Sequence, residues 1–445
     1  RPGRFGLRRR PPASTWEFDK VEVASLTDVG VRRSHNQDAF GVLLAPTAEV
    51  WRERGHILIV ADGMGAHAVG ELASELAADQ IPHTYQKHAN QGPEHALRKA
   101  FDEANANIHQ KGQQNREFQG MGTTSTALLL RPEGVYVAHV GDSRAYRIRG
   151  NLVEQLSFDH SLQWELARRQ QVSPDSIAGI PSNVIVRSLG PEANVQVDIE
   201  GPHQAEPGDI YIICSDGLSN QVTDEELGAI SQNLPLTEAC QFLVDLANLR
   251  GGPDNITVVA LRVPGKKPVT EEATAASDTS KKLHQLIPWP ALSIVLGALL
   301  AIFSLVLTAD RSNGLTLGMV LFGISVVLVL MGLVGALLQR KTEKEQEARE
   351  KVNDSLQIYR KTPFEVNSAL INKMMQTETN LMEIIKEKGW EIDENKLKRL
   401  KQNVAVNIKK NDLLTAFVHQ CHALMLLTSK MRHYRSKDEQ FKPNW

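Results

Sequence analysis

Two uncharged apolar stretches constrain this chain more than any other feature: LIPWPALSIVLGALLAIFSLVLTA (286–309) and LTLGMVLFGISVVLVLMGLVGALL (315–338). Each runs about 24 residues, against the roughly 20 that a helix needs to cross a bilayer. Two buried core helices are the alternative, and this length argues against them. The connection DRSNG leaves room only for a tight hairpin. Lys266, Lys267, Lys281 and Lys282 precede the pair and Arg340, Lys341 and Lys344 follow it, while the connection holds only Arg311. That asymmetry predicts that both flanks lie in the cytoplasm, with two transmembrane helices in the cell (inner) membrane and lipid as a partner. Ser293, Gly297 and Ala301 recur every fourth residue, as do Gly332 and Ala336, giving small faces on which helices pack closely.

The remaining sequence divides around this hairpin. With 445 residues the chain exceeds one compact core. Its 50 Lys and Arg nearly balance 52 Asp and Glu, which argues against a nucleic-acid partner drawn by bulk charge. Cys214, Cys240 and Cys421 have no metal-ligand spacing and read as buried, inert thiols of a reducing compartment. Residues 1–17 form a basic, Pro-containing arm without the apolar core of a signal peptide, and read as disordered. Residues 264–285 are polar and nearly free of large apolar side chains, hence a linker. Residues 340–445 carry helical stripes, Leu397, Leu400, Val404 and Ile408, then Phe417, Cys421, Leu424 and Met425, punctuated by Pro363 and Gly389. They are expected to be all-α, a cytoplasmic helical domain or a unit for homo-oligomerisation, with no catalytic constellation.

Residues 18–263 alternate short β-branched runs with turn signals. HILIVAD, TSTALLL, GVYVAHVGD, RAYRIRG and DIYIICSD read as strands. AVGELASELAADQIPHTY and EHALRKAFDEANANIHQKG read as amphipathic helices, giving an α+β class. Four Asp-centred spots stand at strand ends: HNQDAF (Asp38), VADGMG (Asp62, Gly63), CSDGLSN (Asp216) and GGPDNIT (Asp254). One Asp-Gly is usually a turn. Two that follow apolar strands, with two further Asp in polar turns, would repel at one sheet end unless cations sat among them, and hard oxygens suit Mg²⁺ or Mn²⁺. Spacing alone leaves turn and metal site both open.

These segments carry a resemblance. TDVGVRRSHNQDAF, VADGMGAHAVGELAS, GMGTTSTALLL, VAHVGDSRAYRI, FDHSL, IVRSLG, EPGDIYIICSDGLSNQVTDEEL and GGPDNITVVAL occur in the order found in the metal-dependent type 2C Ser/Thr protein phosphatases, bacterial branch. The resemblance implies a four-layer α-β-β-α sandwich over 18–263 with a binuclear Mn²⁺ or Mg²⁺ centre. Asp38 and Asp62 would hold the ions, with Asp62 bridging; Gly63 would add its carbonyl, and Asp216 and Asp254 would complete the set. Arg33 would grip the substrate phosphate, since a guanidinium fork suits a phosphate dianion. Water activated by two ions would attack phosphorus in line, without a phosphoenzyme, leaving Cys214 no catalytic role. The implied enzyme is a membrane-anchored protein-serine/threonine phosphatase acting on phosphorylated Ser/Thr proteins and countering Ser/Thr kinases.

The sequence departs from the family pattern in places. Met64 stands where some members carry a His proposed to protonate the leaving group; His67 nearby reads as a cap or packing residue, so water at the metals would serve as the acid. Gln119 and Gly120 stand where bacterial members often carry an Asp for a third ion. Asp142 either joins Asp216 at such an ion or pairs with Arg144 as a structural acid. Gln37 replaces the more common Glu beside a ligand and removes a charge. Residues 161–183 fall at a variable flap, where Arg168 and Arg169 either meet acidic or phosphorylated substrate segments or are solvated. His160 reads as a turn residue, and a salt bridge between Arg33 and Asp38 is the alternative state without phosphate. The rival reading is an inactive phosphatase-fold scaffold that binds phosphoproteins, which would predict a lost ligand; none is lost.

Overall fold

A computed structural model describes residues 21–65, 68–177, 179–181, 184–265, 296–305, 319–332 and 359–440. Two antiparallel sheets face each other. The first holds β1 (Glu22–Asp28), β7 (Arg144–Arg149), β8 (Leu152–Gln155), β10 (Ile210–Cys214), β11 (Ile256–Arg262) and β12 (Arg360–Pro363), in spatial order β1-β11-β10-β7-β8-β12. The second holds β2 (Asp38–Leu43), β3 (His56–Met64), β5 (Ser125–Arg131), β6 (Gly134–Val140) and β9 (Asp198–His203), in order β2-β3-β5-β6-β9, with β4 (Gly122–Thr123) paired to β3.

The strands read as unbroken apolar runs because both of their faces are buried. Along β3, Leu58 and Val60 point into the sandwich with Leu128, Val137, Tyr211, Ile213, Val259 and Leu261. Ile57, Ile59 and Ala61 point the other way, onto α2 (Ala68–His88) and α3 (Pro93–Gln114). On the first sheet, Tyr146, Ile148, Ile210, Ile212 and Val258 face α6 (Asp224–Asn233) and α7 (Leu236–Leu249). The α-β-β-α layering follows from this two-sided burial. A capping box, with Thr223 and Glu226 bonded to each other's backbone N–H, fixes the start of α6.

The C-terminal region differs from its expectation as an all-α domain apart. Residues Gln357–Trp445 fall in one compact unit with Arg1–Gly265. β12 adds to the open edge of β8, with Arg360 opposite Gln155 and Pro363 opposite Leu152. Pro363 suits that place because an edge strand can spare an N–H. α8 (Ser368–Lys388) and α10 (Leu413–Gln440) bury Ile371, Met374, Phe417, Cys421 and Leu424 in the same core as α6 and α7. The second stripe thus faces the helices that cover the first sheet. On α9 (Glu394–Lys409) Leu397 and Val404 are buried with Leu381, Ile385 and Leu427, while Ile408 is exposed. Polar contacts lock the docking: Lys373 reaches Glu226 at 2.8 Å, and Arg432 and Thr428 meet the buried carboxylate of Asp245.

The second compact unit, Lys266–Leu356, is described over two helical segments, 296–305 and 319–332. Gly297 lets them approach closely: a Cβ there would stand 2.8 Å from Val329 and 3.0 Å from the Ser325 carbonyl. Among the described residues no helix is long and apolar enough to cross a membrane, so the transmembrane hairpin is not shown. The rest of both apolar stretches, the arm 1–17, most of the linker and His67 lie outside the described residues.

Gly228 in α6 makes room for the C-terminal region, since a Cβ there would fall 2.5 Å from the Phe364 ring and 2.7 Å from Val153. Gly228→Val is expected to cost about 1–3 kcal/mol by overpacking. Phe364→Ala in that background should recover part of the loss although it destabilises alone; the measurement is a double-mutant cycle in denaturant, and additivity of the two changes would contradict the contact.

Candidate active site

Both sheets deliver carboxylates to one end of the sandwich. Asp38 opens β2 and pairs in register with Asp62 on β3. Asp216 opens α5 (Asp216–Ser219) directly after β10, Asp254 stands in the turn before β11, and Asp142 follows β6. The glycine after each strand-end Asp is required by close backbone approach. A Cβ on Gly63 would lie 2.1 Å from the Gly70 carbonyl oxygen, and one on Gly217 would lie 1.9 Å from that of Asn255. The Asp-Gly signal therefore marks two places where the chain is pressed against its neighbour.

Crowding raises the acids. Burial is the main cause of raising Asp38 to about 7, with Asp216 and Asp254 adding repulsion; hydrogen bonds from Ser215 and Thr257 draw it partly back. Ser215 Oγ donates to Asp38 Oδ2 at 2.7 Å. Burial also pushes Asp62 well above the usual carboxylate range, and Asp38, Asp216, Asp142 and Asp254 all repel it. Asp216 and Asp142 are raised by burial first and neighbouring carboxylates second. Asp38 Oδ1, Asp142 Oδ1 and Asp216 Oδ1 are buried without a hydrogen-bond partner. Buried acceptors of this kind are rare, and three at one sheet end call for a cation.

The loop from Val31 to Gln37 is stapled to the Asp254 turn by Asn255, which accepts from the Gln37 N–H at 2.8 Å and donates to the carbonyls of Val29 and His35. This staple decides the partner of Arg33. Asp38 is buried and held by Ser215, so Arg33 pairs with Asp254 at 2.8 Å and not with Asp38. About half exposed, Arg33 stands at the rim of the acidic group. Gln37 Nε2 donates to the Gly65 carbonyl at 3.3 Å, a bond that the more common Glu could not make. Asn36 bonds Thr27 through its amide nitrogen and accepts the Asp38 N–H, shaping the turn.

Behind the acids lies a buried polar network that sequence reasoning missed. Thr124 Oγ1 accepts from the Asp62 N–H at 3.0 Å, Thr123 Oγ1 donates to the Asp62 carbonyl at 2.9 Å, and Thr124 meets Ser143 Oγ at 2.8 Å. These residues lie in the GMGTT and GDSR segments, whose polar residues at buried strand ends were the available signal. Arg144 does not pair with Asp142; it binds Asp159 at 2.8 Å. His160 is fully buried and is no simple turn residue. Its Nδ1 accepts from the Gly141 N–H at 3.0 Å, so Nε2 carries the proton and faces Asp198 at 3.0 Å. Burial would raise Asp198, but His160 and Arg187 outweigh it and hold the carboxyl at about 2. Arg168 is committed to Glu165 and to the face of Phe158, 4.9 Å away. Burial pushes the Cys214 thiol up to about 12, which keeps it protonated and removes it as a nucleophile.

Asp38, Asp62, Asp216 and Asp254 offer hard oxygens suited to Mg²⁺ or Mn²⁺. Among the described residues no group of three acids, His or Cys already closes into an ion cage. The donor chemistry fits nonetheless: three unpartnered buried oxygens sit among carboxylates that repel one another, and Arg33 neutralises only the outermost.

The profile of the protein phosphatase 2C family matches residues 31–248. The serine/threonine phosphatase stp of Listeria monocytogenes is 37% identical over 240 residues, which cover 92% of that protein and 52% of this chain. The chain belongs to the protein phosphatase 2C family. A solved serine/threonine phosphatase of S. agalactiae is 34% identical, with a TM-score of 0.49 over 99% of that chain and 55% of this one. The solved catalytic domain of the phosphatase PstP, in complex with 2 manganese ions, is 30% identical, with a TM-score of 0.47 over 98% of that chain and 55% of this one.

Asp38 keeps its proton in the folded chain up to about pH 7, whereas the unfolded chain releases it near about pH 3.9. Its contribution to stability is therefore full below about pH 4 and lost as pH rises through about 7. The metal-free chain should melt at lower temperature at pH 8 than at pH 5, and Mn²⁺ should raise the melting temperature more at pH 8 than at pH 5. Equal Mn²⁺ shifts at both pH values would contradict a metal site built on these acids.

Proposed function

We propose that the chain is a membrane-anchored protein-serine/threonine phosphatase whose acidic cluster is a binuclear Mn²⁺ or Mg²⁺ site. The observation that carries the reading is the convergence of Asp38, Asp62, Asp216 and Asp254 from both sheets, with Arg33 at their edge. Family membership supports phosphoserine and phosphothreonine proteins as substrates, with Ser/Thr kinases as the opposing activity. Asp38, Asp62, Asp216, Asp254 and the Gly63 carbonyl would hold two ions, and Asp142 with Asp216 would hold a third. When bound, the ions would lower the pKa of water and neutralise charge on the phosphoryl oxygens.

The chain's own residues do the rest. Arg33 exchanges its Asp254 partner for the substrate phosphate, where its planar fork makes paired bonds that Lys cannot. Asn36, Gln37 and Asn255 fix the loop that carries Arg33 at a set distance from Asp38. Thr123 and Thr124 hold the Asp62 backbone, so its carboxylate stays at the centre of the acidic group.

The anchoring rests on the uncharged length of 286–309 and 315–338 and on what their described parts expose. Leu299, Ile302, Phe303, Leu305, Met319 and Val320 are each 58–66% exposed, an apolar surface that lipid suits and water does not. The phosphatase unit and the C-terminal helices would then both lie on the cytoplasmic side.

The test is hydrolysis of a phosphothreonine peptide by carbonate-washed membranes carrying the full chain. Activity should require Mn²⁺ or Mg²⁺, vanish in Asp216→Asn, and fall about 10²-fold in kcat/KM in Arg33→Ala with incomplete recovery in Arg33→Lys. Wild type and Asp216→Asn equally inert in saturating metal would overturn the enzyme reading, and activity released by the wash would overturn the anchor.

A further inference from the structure

The FDHSL segment is gripped by a part of the chain that lies beyond the match to its relatives. Residues 31–248 match the family, whereas Arg360 opens the added strand β12 and Tyr359 immediately precedes it. The Tyr359 N–H donates to the Gln155 carbonyl at 3.0 Å, and its hydroxyl donates to Glu200 at 2.9 Å. Its ring stands 5.5 Å from Phe158, which meets Trp164 edge-on at 5.3 Å. The Arg360 guanidinium lies 5.6 Å from the Trp164 ring and 3.7 Å from Asp224.

Two lines run from these contacts to the Asp142 corner of the acidic site. The first is electrostatic. Burial pushes Asp159 up, and Arg144 and then Arg360 draw it back. Asp159 accepts from Arg144 and from Gln155, the residue opposite Arg360 in register. Arg144, paired with Asp159 at 2.8 Å, opens β7 two residues after Asp142. The second line is mechanical. Phe158 and Asp159 immediately precede His160, which binds Gly141 twice, through Nδ1 and through its own N–H to the Gly141 carbonyl at 2.7 Å. Gly141 leads directly into Asp142.

We propose that Tyr359 and Arg360 are positioning residues for the phosphatase reaction: by holding Phe158 and Trp164 directly, and Asp159 through Gln155, they fix the Asp142 corner and its affinity for metal. The inference rests on the reading of Asp142 and Asp216 as metal ligands. It makes the C-terminal region a working part of the site, supplied in the same chain. Neither residue touches the reacting atoms.

The test uses the full chain, with Mn²⁺ uptake followed by titration calorimetry at pH 8 and steady-state kinetics on a phosphothreonine peptide. Tyr359→Ala and Arg360→Ala should each weaken Mn²⁺ binding about tenfold and lower kcat with little change in KM. Tyr359→Phe and Arg360→Lys should recover most of both losses, because the ring and the cation remain. Lys361→Ala, on the same strand with its amine exposed beside Glu154, should match wild type. Wild-type affinity and kcat in both alanine variants, whatever their melting temperatures, would overturn the inference, as would an equal loss in Lys361→Ala. A wild-type chain that takes up no Mn²⁺ overturns the metal reading and this inference with it, whereas normal uptake with unaffected variants overturns the inference alone.

Discussion

Repulsion among buried carboxylates is the constraint on which the rest of the site depends. Asp38, Asp62, Asp142 and Asp216 are all raised by burial and by neighbouring carboxylates, and three of their oxygens have no hydrogen-bond partner. A fold that assembles such a group gives up stability at neutral pH unless cations return it. The stiffness around the acids follows from the same need. Asn255, Ser215, Thr123 and Thr124 are tied to backbone or carboxylate so that mutual repulsion cannot splay the cluster. Arg33 offsets the charge at the rim alone, where it also remains accessible.

The sandwich supplies the rigidity that this repulsion demands. Strands buried on both faces and covered by helix pairs leave the acid-bearing ends little freedom. The C-terminal region extends the same logic. β12 closes the open edge of β8, and α8 and α10 enlarge the core on α6 and α7, so the far end of the chain stiffens the side of the sandwich that bears Asp159 and His160. The sheet edge passes from β8 to the short β12, whose Pro363 and two cations make it a poor template for strand addition.

Much of this was legible in the sequence, for physical reasons that name its limits. HILIVAD and DIYIICSD could be placed as strands because both faces are buried, and Asp62 and Asp216 stood out because close backbone approach forces glycine after them. The partner of Arg33 was not legible: Asp38 is near in sequence, but the Asn255 staple brings Asp254 nearer in space. His160 looked like a turn residue, and the role of Thr124 at the head of the TSTALLL strand was not visible, because a polar side chain in a buried network carries no periodic pattern. β12 was missed since RKTP, with two cations and a proline, shows no alternation; its strand character comes from β8. The second helical stripe was visible on α10, but the surface that it buries belongs to a domain far earlier in the chain.

The central claim, that these carboxylates form one paired-metal site, is tested most directly by counting bound ions. Metal-free chain would be dialysed against Mn²⁺ at pH 8, with bound metal measured by atomic emission and pairing by electron paramagnetic resonance. The account predicts at least a pair of ions per chain with a spin-coupled signal, and loss of that signal in Asp62→Asn. Less than one ion per chain, or an unchanged coupled signal in Asp62→Asn, would contradict it.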